Sequence, residues 1–224
     1  MLMTDPKLKL EICYLLSGSM AIVSFALLYQ SRMAATINTF AVHALLLGLV
    51  VALQADIQAE HNLYLTAAIA VLFKAIAIPL ALHFIIRKFD LHRTIEMVVS
   101  PGLTMTAGLG LVVVAVMVMR PVTVHSDALV TADLIFAMVV LLLGILMMIT
   151  RRNAITQVVG FMSLENGLIL AMAGVHGMPL VVEISVALTV LVACIVFGMF
   201  FFRIRERFSS LDIRHLESDG RVSQ

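Results

Sequence analysis

Charged side chains are scarce in this 224-residue sequence, at 13% of positions, whereas hydrophobic residues make up 62%. The mean hydropathy is +1.08. A soluble domain of this size with so little charge would be coated in apolar surface. The composition therefore argues against an ordinary soluble domain and predicts that a lipid bilayer is the solvent. The net charge of +1 gives no sign of a nucleic acid or other polyanionic partner.

Cysteine and the common catalytic motifs are also sparse. The two cysteines, Cys13 and Cys194, lie far apart inside apolar segments. This placement argues against a disulfide framework and against a CxxC metal or redox pair. The sequence has no Gly-rich phosphate loop, nucleophile elbow, HExxH motif or cysteine metal cluster. We therefore expect no catalytic residues, no metal and no cofactor in this chain alone.

Long apolar segments dominate what is present. A bilayer core of ~30 Å needs about 20 helical residues, and this length recurs seven times with short polar breaks. Backbone groups in lipid must pair internally, and the segments do not alternate like barrel strands. The sequence therefore predicts an all-α, polytopic transmembrane bundle of about seven helices. The approximate spans are 11–29, 34–54, 62–86, 103–119, 128–149, 155–173 and 180–202.

The basic residues of the loops predict the orientation. With seven spans, most of them fall on one side: Arg32, Arg87, Lys88, Arg93, Arg151, Arg152, Arg203, Arg205, Arg207, Arg214 and Arg221. Only Lys7, Lys9 and Arg120 fall on the other. The positive-inside rule makes the crowded side cytoplasmic, so we predict an external N-terminus and a cytoplasmic C-terminus.

Two segments differ from simple spans. Residues 87–102 mix polar and apolar side chains and end in Pro-Gly, which predicts a cytoplasmic interfacial segment. Residues 208–224 are polar without apolar periodicity, which predicts a polar cytoplasmic tail.

Lys74 lies near the middle of the third span, too deep to reach either interface by snorkelling. It is expected to face the protein interior. Ionisable groups at membrane depth are costly, so Lys74 is a candidate proton-loading group. Pro79 removes a backbone donor and is expected to disturb the turn that includes Ala75. The alternative is a static ion pair and a proline that only bends the helix.

Glu165 lies about eleven residues into the sixth span, ~16 Å from its cytoplasmic end and close to the midplane. Asn166 and Gly167 follow it directly, adding an amide and a point where another backbone can approach closely. Glu165 is the strongest single candidate for a proton-carrying residue.

Glu183 and Asp133 are shallower candidates, ~5 Å inside the seventh span and ~8 Å inside the fifth. With His176 in the intervening loop they form a possible exit of a proton path. The alternative is that they are solvated or stabilise helix N-termini.

His43 in the second span and His83 in the third raise the possibility of a b-type haem. Two axial ligands must meet one iron at similar depth, yet His43 is placed ~13 Å and His83 ~5 Å from the cytoplasmic side. Structural histidines, or members of a water network around Lys74, fit these depths better.

The last three spans resemble a known family. The stretches are RRNAITQVVGFMSLENGLILA and GMPLVVEISVALTVLVACIVFGMFFFRI. They resemble the membrane component E of hydrogenase-4, a relative of the small K subunit of respiratory complex I and of the C subunit of Mrp-type sodium/proton antiporters. The resemblance to component E covers most of the chain. The kinship to the K subunit covers only about residues 128–205.

The resemblance implies a membrane subunit of a complex-I-related [NiFe]-hydrogenase, in which electron transfer is coupled to proton or sodium movement. It implies a multi-pass location in a bacterial or archaeal cell membrane, beside antiporter-like and quinone-channel-like subunits. It also implies a NiFe centre and iron-sulfur clusters in partner subunits. On this basis residues 1–127 form four additional helices and residues 128–207 form a K-like three-helix core.

The resemblance departs at the membrane glutamates. At the position of one K-subunit glutamate this chain has Met162. The position of the other glutamate falls near Cys194. Glu165 lies one helical turn after Met162, close enough to serve the same cavity. Glu183 corresponds to a polar position of the antiporter C subunits.

Three further functions remain open. The chain can be a C-type subunit of a multisubunit cation/proton antiporter, without a redox partner. It can be a haem-bearing membrane anchor that uses His43 and His83. It can also be a purely structural subunit whose buried charges are paired and inert.

Overall fold

The computed structural model describes residues 6–88, 95, 98–122, 128–174, 195 and 198. The regular elements of this part are helices: α1 (Pro6–Tyr29), α2 (Met33–Gln58), α3 (His61–Ile69), a π-helical segment (Ala70–Ala77), α4 (Ile78–Lys88), α5 (Pro101–Val122), α6 (Ala128–Thr150) and α7 (Ala154–Ala173). Elements α3 and α4 and the π segment between them form one continuous helix, His61–Lys88.

Six helices of the described part are long and apolar enough to cross a membrane. They match the first six predicted spans to within about five residues at each end, so the all-α, membrane-spanning fold is confirmed. The predicted seventh span, 180–202, lies outside the described residues except for Ile195 and Gly198, both of which are helical.

The third span widens where the sequence predicts a disturbed turn. Pro79 has no N–H to donate to the carbonyl of Ala75, four residues earlier. The backbone N–H of Ile78 instead bonds the carbonyl of Phe73, five residues back, as in a π-helix. The proline thus ends a widened segment rather than only bending the helix, and Lys74 lies within that segment.

The helices α1, α2, α6 and α7 enclose the core, which includes Leu27, Phe40, Leu143 and Val159. The α6 and α7 backbones approach closely. An added Cβ at Gly144 would lie 2.6 Å from the backbone nitrogen of Leu164. An added Cβ at Gly167 would lie 2.8 Å from that of Leu141, so the close approach predicted at Gly167 is confirmed. Glycine therefore sets the α6–α7 distance.

Helix α5 lies at the edge of the bundle. Its large apolar side chains at Leu103, Leu109, Val113 and Met117 are half-exposed or more. Exposure of such an apolar face to water would be unfavourable, so we expect it to contact lipid or a partner helix.

Backbone contacts bring three connections together at one end of the bundle. Ile95 N–H donates to Ser31 C=O at 2.8 Å, and Val98 N–H donates to Thr150 C=O at 3.0 Å. These connections follow α1, α4 and α6, and several of the basic residues predicted to be cytoplasmic lie in or beside them, including Arg32, Lys88 and Arg151. Their common location fits the charge asymmetry of the sequence, while the assignment of this end to the cytoplasm stays a prediction.

Arg151 is the most buried cation at this end. Its Nη2 donates to the carbonyls of Leu28 at 2.7 Å and Leu27 at 3.3 Å, which are orphan acceptors at the end of α1. A cation at a helix C-terminus also complements the helix dipole. Burial lowers the pKa of the Arg151 guanidinium. The contact ties the connection before α7 to the end of α1.

The predicted division of the chain at residue 127 and the interfacial segment near 87–102 stay predictions. Of that segment, residues 89–94, 96 and 97 lie outside the described part, as does the predicted tail, 208–224.

Candidate functional site

Lys74 and Glu165 meet in the interior of the bundle. Lys74 Nζ lies 2.7 Å from Glu165 Oε1, and the two side chains are 0% and 1% exposed. Lys74 also donates to Asn166 Oδ1 at 2.9 Å. The prediction that Lys74 faces the interior is confirmed, and its carboxylate partner comes from α7.

Local structure places both charges inward. Within the π segment, the buried residues are Ala70 and Lys74, four positions apart on one face. In α7 almost every residue from Val158 to Leu170 is buried or partly buried, because α6 packs tightly against this helix. An isolated charge in such surroundings would be strongly unfavourable, so Lys74 and Glu165 depend on one another.

His43 extends the site to α2. Asn166 Nδ2 donates to His43 Nδ1 at 3.0 Å. Since Nδ1 accepts this hydrogen bond, the neutral ring carries its proton on Nε2. Nε2 lies 3.0 Å from Ser24 Oγ, which in turn donates to the Met20 carbonyl at 3.0 Å. Every donor in this chain of bonds therefore has an acceptor.

These contacts form one connected group, which we name the central cluster. Its members are contributed by four segments, namely α1, α2, the π segment and α7, and all of them are at least 98% buried: Ser24, His43, Lys74, Glu165 and Asn166. A connected polar cluster in a low-dielectric interior holds its members in fixed geometry.

Asp133 lies in a second buried polar group, which we name the Asp133 cluster. Asp133 accepts hydrogen bonds from Ser17 Oγ at 2.9 Å and from Gln54 Nε2 at 2.6 Å. Gln58 Nε2 then donates to Gln54 Oε1 at 3.1 Å and to the Ala173 carbonyl at 2.7 Å. Asp133 is fully buried, so it is not a solvated charge at a helix terminus.

The two clusters lie at different depths of the same bundle. Asn166 and Ala173, which mark them on α7, are seven residues apart, or about 10 Å of helical rise. Thr66 lies on α3, and its buried Oγ1 has no hydrogen-bond partner among the described residues. A water molecule could satisfy this hydroxyl.

The structure does not bring the two candidate haem ligands together. Both ring nitrogens of His43 are engaged, by Asn166 and Ser24. His83 Nδ1 instead bonds the Pro79 carbonyl of its own helix at 2.9 Å. His43 therefore has no free ring nitrogen for an axial bond, and the haem-anchor hypothesis finds no support in this geometry.

Of the other predicted residues, Glu183 and His176 lie outside the described part of the chain, and their roles stay predictions. Across the residues that the structure describes, no three His, Cys, Asp or Glu side chains come together in a way that could hold a metal ion. The expectation that the metal centres belong to partner subunits is not tested by this result.

Sequence reasoning missed several members of the two clusters. Ser17 and Ser24 are seven residues apart and so lie on one face of α1, a spacing that marks a shared interior face. Gln54 is the last residue of the predicted second span, a position typical of an interfacial side chain. Its role depends on the neighbouring helices, which spacing within one helix does not reveal.

The chain is similar to hydrogenase-4 component E of Escherichia coli K12. The match has 24% identity over 203 residues and covers 90% of this chain and 94% of the relative. Hydrogenase-4 component E of Shigella flexneri matches to the same extent. No family model and no solved structure matches the chain.

An uncharacterized protein of Mycobacterium tuberculosis, Rv0085, is 36% identical over 119 residues. This match covers 52% of the chain and 53% of that relative, so the chain matches about half the length of the Mycobacterium protein. The six spanning helices of the described part, together with the similarity to component E, support a multi-pass protein of the inner membrane.

Proposed function

We propose that this chain is an integral membrane subunit of a hydrogenase-4-like complex. The support is the similarity to hydrogenase-4 component E, which extends over nearly the whole of both chains. A [NiFe] centre and iron-sulfur clusters would then lie in partner subunits, and antiporter-like and quinone-channel-like subunits would be its membrane neighbours.

We further propose that the subunit contributes to proton or sodium translocation coupled to electron transfer, and to assembly of the membrane arm. The observation that carries this proposal is the buried Lys74–Glu165 pair, at 2.7 Å. Charges at membrane depth are unfavourable, and they recur in ion pathways and proton relays. Transfer of one proton from Lys74 Nζ to Glu165 Oε1 would convert the ion pair into a neutral amine and a neutral acid.

The Asp133 cluster is the proposed continuation of this route toward one membrane surface. It supplies a second buried carboxyl group. Glu183 is the proposed exit, as its position in the sequence suggests. The relationship of residues 128–207 to the complex I K subunit is also a proposal, and it rests on the sequence resemblance alone.

The decisive experiment compares E165Q and K74M in the assembled complex. Ion uptake by inverted membrane vesicles would be followed during hydrogenase turnover, beside hydrogenase activity with a soluble electron acceptor. We expect both variants to assemble and to keep the redox activity, while ion uptake falls by about tenfold or more. S19A is the matched control, because in the described part of the chain Ser19 Oγ bonds the Leu15 carbonyl of its own helix and no other group.

Unchanged ion uptake in both variants would refute the translocation role and favour a purely structural pair. Membership in the complex is tested separately by affinity purification of the tagged chain. Co-purification of nickel and iron-sulfur subunits supports the hydrogenase assignment. Co-purification of antiporter subunits alone would instead support the alternative, a C-type subunit of a multisubunit cation/proton antiporter.

A further inference from the structure

Asn166 contacts both Lys74 and His43, and its two ends are chemically different. Its carbonyl oxygen accepts from Lys74 Nζ at 2.9 Å, and its amide nitrogen donates to His43 Nδ1 at 3.0 Å. The ammonium has donors only, so it requires the oxygen end of the amide. The nitrogen end then necessarily faces His43, and Nδ1 must be the acceptor.

We propose that Asn166 is a positioning residue that couples the charge of Lys74 to the proton position on His43. While Lys74 is charged, the amide is fixed and His43 carries its proton on Nε2. When Lys74 is neutral, its lone pair can accept from the amide nitrogen, and the amide can turn over. Its oxygen then faces His43 and accepts a hydrogen bond from Nδ1–H. The functional purpose of this coupling rests on the proposed translocation role, whereas its geometry does not.

The protons balance in both arrangements. Lys74 loses one proton to the Glu165 carboxylate, breaking an N–H bond and forming an O–H bond. During a transient opening of the buried site to water, His43 takes up one proton from water at Nδ1 and releases one to water from Nε2, so the ring stays neutral. Ser24 can accompany the change, because its hydroxyl can accept from Nε2–H or donate to a bare Nε2. Among the described residues, His43 contacts Ser24 and Asn166, and Lys74 and Glu165 follow in the same cluster.

The arrangement makes two states mutually exclusive, namely a charged Lys74 and a proton on His43 Nδ1. A charged Lys74 and a protonated Nδ1 would both present donors to Asn166, which has only one oxygen. One of the two contacts would then place a donor against a donor in a buried site, which is strongly unfavourable. Asn166 therefore transmits the protonation state of the ion pair to α2 without any large movement of the helices.

The test is nitrogen NMR of ¹⁵N-histidine-labelled full chain in lipid nanodiscs at neutral pH. The His43 signals are identified by their loss in H43Q, and His83 is the internal control because its Nδ1 bonds only its own helix. Wild type is expected to show the Nε2–H form alone. K74M is expected to show the Nδ1–H form as well, on the order of half of the population, because neither amide orientation is then enforced.

The variant N166L separates coupling through the amide from a direct effect of the charge. In the N166L background, adding K74M is expected to leave the His43 proton distribution unchanged, and N166S gives the same comparison if N166L does not fold. A wild-type Nε2–H pattern in K74M would overturn the proposal. An equal K74M effect with and without Asn166 would also overturn it. Because these spectra need no partner subunit, failure here is distinct from failure of the proposed complex membership.

Discussion

Lys74 and Glu165 form an ion pair that joins the third span to the sixth, with Nζ 2.7 Å from Oε1 and neither side chain more than 1% exposed. Desolvation of two charges offsets much of their attraction, so such a pair is weak evidence for stability. Removal of one charged partner destabilises such a pair more than removal of both. The pair therefore makes the two spans depend on each other.

The first prediction concerns this dependence. K74M alone is expected to destabilise the chain by about 3 kcal/mol, since it leaves the Glu165 carboxylate buried without its cation. The double variant K74M/E165Q is expected to lose less stability than the sum of the losses in the two single variants. Thermal unfolding in detergent, monitored by circular dichroism, measures both effects. The control is E60Q at an exposed helix N-cap, and strict additivity of K74M and E165Q would contradict the pairing.

The second prediction concerns the Asp133 cluster. Ser17 and Ser19 are close on α1, but Ser17 Oγ donates to the buried Asp133, whereas Ser19 Oγ donates to the Leu15 carbonyl of its own helix. S17A is expected to destabilise the chain by about 1–2 kcal/mol, because it removes a hydrogen bond to a buried carboxyl group. S19A is expected to stay within about 0.5 kcal/mol of wild type. Equal unfolding temperatures for the two variants would contradict the described environment of Asp133.

The third prediction concerns the glycines of α6 and α5. An added Cβ at Gly144 would lie 2.6 Å from Leu164 N and 3.0 Å from the Gly160 carbonyl oxygen. G144A is therefore expected to force α6 and α7 apart and to destabilise the chain by about 1–3 kcal/mol. G110A is the matched control, since no atom of the described residues lies within 4 Å of an added Cβ there. It is expected to be neutral or stabilised by up to about 1 kcal/mol. A G144A variant as stable as G110A would refute the close α6–α7 packing.

The spans could be predicted from the sequence because length and hydropathy dominate the placement of a helix in lipid. The same argument placed Lys74 in the interior, since a charge that cannot reach water must face protein. Pro79 predicted a disturbed turn for a local covalent reason, the missing N–H. The extent of the π segment, Ala70–Ala77, also depends on how α2 packs against it, which the local sequence does not reveal.

The partners of the candidate residues could not be predicted. Depth placed both Lys74 and Glu165 near the midplane, but whether the two side chains meet depends on the arrangement of the helices. Asp133 is shallow when counted from the start of its helix. The neighbours Ser17 and Gln54, from α1 and α2, are what bury it. Contacts between distant helices depend on helix rotation and order, and neither follows from periodicity within one span.

The last prediction concerns orientation, which the loop charges predict. Ser31 and Glu60 are exposed residues at opposite ends of α2, and neither is among the basic residues that set the charge asymmetry. In a C13A/C194A background, S31C is expected to react with a membrane-impermeant maleimide only in inverted vesicles. E60C is expected to react only in spheroplasts, because its end of the bundle would face outward. Labelling of both in permeabilised membranes controls for reactivity. The opposite pattern would reverse the assigned cytoplasmic side, and with it the direction in which the Asp133 cluster extends the proposed route from Lys74 and Glu165.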